Sequence, residues 1–132
     1  MLTFMYSHCR EICPLEGAML GQVERSIRRW PDRPNLVVVS VDPGGDTRPS
    51  VDRFARKYGW PPGWHWLEGS RRQLARVWRA YRIQVQGRSG DIGHGTALYL
   101  LDARGYERSA YAIPFLPQFV VADLRTLTRT TP

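Results

Sequence analysis

The stretch that decides the fold is Asn35–Asp42, "NLVVVSVD". It is nearly unbroken in its apolar character and rich in valine. A strand with one wet face alternates apolar and polar residues. A run without alternation is a strand covered on both faces, the mark of a central parallel strand. Parallel strands need a crossover between them, usually a helix. The residues on either side therefore have to supply a neighbouring strand and a helix.

Upstream, residues 2–6, "LTFMY", read as a short buried strand. Residues 14–30 read as a helix. Pro14 suits the first turn, where its missing N–H costs nothing. Leu15, Met19, Val23, Ile27 and Trp30 recur at a period near four and form one apolar stripe. "PDRP" ends it. Downstream, Thr47 caps a second helix that runs through Tyr58, with Val51, Phe54 and Tyr58 on one face and Gly59 as its stop. "WHWLEG", 64–69, is a short strand. Ser70 caps a third helix over 71–81 that buries Leu74, Val77, Trp78 and Tyr81. Residues 83–95 are rich in glycine and polar side chains and read as a loop. "TALYLLD", 96–102, is a strong strand, and "YERSAYA" returns antiparallel to it. A last helix spans about 117–129, with Phe119, Val120, Leu124 and Leu127 on its apolar face.

The order of elements is β-α-β-α-β-α-β-β-α. A βαβ beginning and a ββα ending around one sheet is the thioredoxin arrangement, an α/β fold with a central mixed sheet flanked by helices. The 132 residues, 42% of them hydrophobic, suffice for a core without staples and are expected to form one domain over 1–132. No run approaches the roughly 20 apolar residues that span a bilayer. The net charge is +7, and all but one of the 19 basic residues are arginine. They are scattered rather than gathered on one face, so the charge does not indicate a nucleic-acid module.

Both cysteines fall where the first strand meets the first helix, in "YSHCREICP", Tyr6–Pro14. Ligands of open α/β sheets bind at such carboxyl ends of strands. There the helix dipole and free backbone N–H groups favour thiolate over thiol. Three residues separate Cys9 from Cys13, one more than in the usual redox pair. At that spacing the residues share a helix face. A structural disulfide, a redox dithiol and half of a metal site all remain open. Soft thiolates select Cu(I), zinc or iron–sulfur. The chain has three histidines to complete a site: His8, His65 and His94. His8 neighbours Cys9 on an extended segment and points away from it. His65 sits between two tryptophans on a strand. His94 lies in a glycine-rich loop just before the strong late strand, a loop that returns near the first helix in this fold.

Taken together, "FMYSHCREICP" (4–14), "VVVSVDPGGDT" (37–47), "ARKYG" (55–59), "GWHWLEGS" (63–70), "AYRIQV" (80–85) and "GHGTALYLLDARG" (93–105) resemble the Sco/SenC family, thioredoxin-fold copper proteins that help assemble the copper centre of cytochrome c oxidase. The resemblance implies that Cys9, Cys13 and His94 bind copper, as Cu(I) or Cu(II). It implies a copper acceptor as partner, the copper-site subunit of cytochrome c oxidase or another protein, and no nucleic acid. It implies a place on the outer face of the cytoplasmic membrane or in the periplasm. Family members carry an N-terminal anchor and a hairpin before the cysteine strand. The domain here is thus expected to be N-terminally shortened, with membrane contact only through the missing anchor and apolar sheet surface left uncovered. Gly93 stands where the family often has aspartate directly before the histidine; Asp91 is the nearest acid. Asp91 and Asp42 are candidates for tuning the site, Asp42 also reading as a turn residue before Pro43. The alternative function is a thiol–disulfide oxidoreductase, with Cys9 attacking and Cys13 resolving.

Overall fold

The computed structural model describes all residues except 88, 89, 91, 131 and 132. Asp91 lies outside the described residues. Strand β1 is Leu2–Met5, helix α1 Cys13–Ile27, β2 Val37–Ser40, α2 Arg48–Lys57, β3 His65–Leu67 and α3 Arg71–Ala80. Then come β4 Val85–Gln86, β5 Gly93–His94, β6 Leu98–Leu101, β7 Glu107–Tyr111 and α4 Pro117–Thr130. The main sheet has the order β3-β2-β1-β6-β7. β1 runs parallel to β2 and β2 parallel to β3, while β6 is antiparallel to both β1 and β7.

The valine run occupies the position its composition demands. Val38 and Val39 are buried against the core, as are Phe4 and Met5 of β1. β1 has partners on both flanks, with Leu2 opposite Val37 on one side and Tyr99 on the other. The parallel β1–β2 pair forces α1 to cross over the sheet, and this crossover puts the first turn of α1 beside the end of β1. The helix starts follow their capping chemistry. Thr47 and Ser50 form a reciprocal capping box on α2, and Ser70 and Gln73 do the same on α3. α1 differs: Ile12 at its N-cap makes no side-chain cap, so its first N–H groups are left for other partners.

Three expectations are revised. α1 ends at Ile27 rather than Trp30, because Trp30 N–H bonds to the Ile27 carbonyl oxygen in a turn. Residues 83–95 are not all loop: Val85 pairs with His94 and Gln86 with Gly93 in a two-stranded sheet separate from the main one. Strands of two residues are too short to carry a period. Leu15 and Phe119 are 46% and 57% exposed despite falling on apolar stripes. Both lie in the first turn of their helices. Leu67, on the edge strand β3, is also half exposed. Among the described residues no helix is long and apolar enough to cross a membrane.

Helix α1 lies tightly on the end of α2. Gly17 and Gly21, one turn apart, form the contact surface. A Cβ at Gly17 would lie 2.8 Å from Phe54 and Tyr58 ring atoms, and one at Gly21 would collide with the Tyr58 carbonyl oxygen. Trp60 Nε1–H closes the contact by donating to the Gly17 carbonyl oxygen at 2.8 Å.

Candidate functional site

Residues 6–13 turn from β1 into α1. Cys9 N–H donates to the Tyr6 carbonyl oxygen at 3.3 Å, which curls the segment and brings Cys9 back over the helix start. Both cysteines are free thiols; Cys9 is partly exposed and Cys13 fully buried. The two sulfurs are neighbours and titrate unequally. The Cys13 thiol beside it and the backbone N–H groups of Cys13 and Glu11 pull Cys9 far below the usual thiol range, against its burial. The thiolate at Cys9 together with burial pushes Cys13 far up. One proton thus serves the pair, held on Cys13 and shared toward Cys9. The uncapped N-terminus of α1 supplies the donors.

His94 approaches from the small β4–β5 sheet. Its ring meets the Tyr6 ring edge to face at 5.9 Å between centroids. Tyr6 Oη in turn accepts from Ile92 N–H at 3.1 Å, tying the segment before His94 to the end of β1. His94 Nδ1 lies 2.9 Å from the Gly95 carbonyl oxygen. A carbonyl only accepts, so the proton sits on Nδ1 and Nε2 carries a lone pair. Nε2 is buried and has no hydrogen-bond partner. A buried lone pair without a partner is costly, and beside two thiols it is a donor atom suited to a soft or borderline metal. Among the described residues no three His, Cys, Asp or Glu side chains form a closed ligand cage. The thiols and imidazole are neighbours rather than a preassembled set.

The other candidates lie elsewhere or do other work. His8 is exposed and contacts Ser7 Oγ at 3.3 Å through Nδ1. His65 is exposed on β3. Asp42 accepts from Gly45 N–H at 2.9 Å, the turn role. The acid that does reach the cysteine segment is Asp46, which carries no such expectation from sequence. It accepts from Ser7 N–H at 2.8 Å, Ser7 Oγ at 2.7 Å, Ser40 Oγ at 2.6 Å and Trp66 Nε1 at 3.1 Å. It therefore locks the segment before Cys9 to β2 and β3.

Glu16 is the second unforeseen residue. It is buried in α1, three residues after Cys13. Thr3 Oγ1 lies at hydrogen-bond distance from both Glu16 Oε1 and, at 3.0 Å, the Ala97 carbonyl oxygen. A hydroxyl has one hydrogen. Both contacts are satisfied together when Glu16 is the neutral acid and donates to Thr3, which then donates to Ala97. Burial agrees, raising Glu16 to about 7. The chain Glu16–Thr3–Ala97 joins the helix of Cys13 and the strand leading to Cys9 to the segment just after His94. A glutamate three residues beyond Cys13 in an otherwise apolar first turn is the one sequence hint to it.

A thioredoxin-like α/β fold with a dithiol at a helix start and an imidazole beside it defines a class of thiol-based metal or redox proteins. The chain belongs to the SCO1/SenC family, whose sequence model matches residues 1–129. It is 32% identical over 120 residues to the mitochondrial SCO2 homolog of Bos taurus, covering 85% of this chain and 44% of that one. It is 26% identical to the mitochondrial SCO1 homolog of Homo sapiens, covering 80% and 37%. The chain spans about half the length of the curated relatives it matches. Among solved structures it is similar to copper-bound ScoI of Bradyrhizobium japonicum, with TM-score 0.80 and 27% identity over 96% of this chain and 82% of that one. A SCO1/SenC family lipoprotein from Bacillus anthracis str. Ames superposes with TM-score 0.84 at 22% identity, covering 96% and 80%.

Proposed function

We propose that residues 1–132 act as one domain that binds copper and passes it to an acceptor in cytochrome c oxidase assembly. Cys9 and Cys13 hold Cu(I) as thiolates, and His94 Nε2 joins them for Cu(II), which prefers imidazole beside sulfur. The observation that carries this reading is the partnerless, buried Nε2 lone pair of His94 next to the thiol pair. The tautomer it requires, with a proton on Nδ1, is set by the Nδ1 contact to Gly95. Copper in the Bradyrhizobium japonicum relative supports the metal. The acceptor is the copper-site subunit of cytochrome c oxidase or another copper acceptor protein. The family resemblance supports a place on the outer face of the cytoplasmic membrane or in the periplasm; the curated relatives are named as mitochondrial.

Titration should end at one copper per chain, and the Cu(II) form should show intense thiolate-to-copper absorption. His94→Ala should weaken Cu(II) binding strongly and Cu(I) binding little. Equal loss of both, or loss of neither, removes His94 from the site.

A second reading, a thiol–disulfide oxidoreductase that reduces acceptor cysteines, is favoured by the asymmetry of the pair. Cys9 is reachable and thiolate-like, and Cys13 is buried behind it, the division between attacking and resolving thiols.

A further inference from the structure

A cavity of about 240 Å³ opens beside Cys9, between the cysteine segment and α2. Cys9 is in its wall; Cys13 and His94 are not. A molecule in the cavity therefore reaches one sulfur only, from a side the other two groups do not occupy. Opposite Cys9 stand Arg53 and Lys57 of α2. They are four residues apart, so they face the same way one turn apart on the helix. Both are exposed, and neither is ion-paired among the described residues. Two acids near them are taken: Asp52 pairs with Arg48, and Asp46 accepts the four donors described above. Like charges at this spacing repel each other, and an anion between them relieves the repulsion. Phe54 and Tyr58 give the cavity an apolar wall.

We propose that this cavity binds small thiols that carry carboxylates, and their symmetric disulfides, for exchange at Cys9. The carboxylates lie on Arg53 and Lys57, where the guanidinium fork suits a carboxylate. The ligand's sulfur lies at Cys9. The Cys9 thiolate attacks one sulfur of the disulfide RSSR. A Cys9–S–S–R bond forms, the ligand S–S bond breaks, and RS⁻ leaves and takes a proton from solvent. Cys13 then loses its proton and attacks the Cys9 sulfur. The Cys9–Cys13 disulfide forms and the second RSH leaves. Two protein thiols are oxidised and one disulfide is reduced to two thiols, so electrons balance. Excess RSH drives the same steps backwards. The site selects by charge, which sets it apart from copper binding and from any general thiol reactivity.

The test uses the reduced, copper-free chain with three probes: oxidised glutathione (anionic), 2-hydroxyethyl disulfide (neutral) and cystamine (cationic). Rates are compared between wild type and the R53E/K57E variant, with R53Q/K57Q as a milder change, each checked for native circular dichroism. Oxidised glutathione, relative to the neutral probe, should react about tenfold faster with wild type than with R53E/K57E. Cystamine should change in the opposite direction, and R53Q/K57Q should fall between. In Cys13→Ser the reaction should stop at a mixed disulfide that mass spectrometry maps to Cys9. A probe preference identical in all three proteins, or an adduct on Cys13 in wild type, overturns the proposal. Copper titration of the same proteins separates the two readings. R53E/K57E should bind copper as wild type does, and a wild type that binds no copper yet keeps the anion preference refutes only the copper reading.

Discussion

At the residue scale the site is a small set of groups whose protons are placed by their surroundings. The Cys9 thiol is pulled far down because a neighbouring thiol and the N–H groups at a helix start face it. Glu16 does the reverse: burial raises it from an ordinary 4.5 to about 7. A carboxyl raised by folding stabilises the fold below its unfolded value and ceases to do so as pH climbs through the folded one. Glu16 should therefore cost the fold on the order of 3 kcal/mol between pH 4.5 and about 7, at roughly 1.4 kcal/mol per unit. The Cys9 thiolate works in the opposite sense, its contribution growing as pH rises from its depressed folded value. The readout is thus the difference between wild type and Glu16→Gln in thermal unfolding across pH 4–8. Gln should remove the downward component and, as a neutral donor to Thr3, keep the low-pH stability. Parallel curves for the two proteins would show that Glu16 is not the neutral acid.

At the element scale the position of α1 matters most, since its first turn holds Cys13 and aims N–H groups at Cys9. Two devices hold it. Buried Glu24 and half-buried Arg33 form an ion pair at the far end, with Arg33 also donating to the Pro62 carbonyl oxygen at 2.9 Å. Gly17 and Gly21 let the end of α2 approach at backbone distance. Gly21 faces a carbonyl oxygen, which cannot swing aside as a side chain can. Gly21→Ala should cost roughly 1–3 kcal/mol through overpacking, despite alanine's better helix propensity. Chemical denaturation measures this directly; a stabilised variant would mean that α1 and α2 are further apart than described. The periodicity of α1 was legible in Met19, Val23 and Ile27, all of them buried. The glycine contact was not, because a period reports which face is apolar and not what backbone comes to meet it.

At the scale of the whole molecule the site straddles two bodies of unequal support. The thiols hang from the centre of a five-stranded sheet, and His94 sits in a two-stranded sheet of two residue pairs. Small sheets with few buried contacts open locally long before the core does. Amide exchange should be at least about a hundredfold slower at Phe4 and Val39 than at Val85 and His94. Equal protection would mean that the imidazole is as fixed as the thiols. This inequality fits the proposed copper site, in which the thiols would stay in place and His94 would close and release.

What the sequence determined by itself is the order of the helices and of the five main-sheet strands, and the location of the cysteine pair. Valine content alone marks β2 as central, capping residues mark the starts of α2 and α3, and a dithiol at a strand–helix junction is local in the chain. These are short-range facts, set by propensity and pattern. What only the tertiary structure decided is which distant groups meet the thiols. His94 lies 81 residues beyond Cys13, and its approach depends on Tyr6 receiving Ile92 across the sheet. Asp46, not Asp42, reaches Ser7, because four residues of turn carry it back over the end of β2. Glu16 becomes a neutral acid only when Thr3 and the Ala97 carbonyl are brought to it. Burial, a lone pair without a partner and a shared proton are properties of an assembled interior, and no window of sequence contains them.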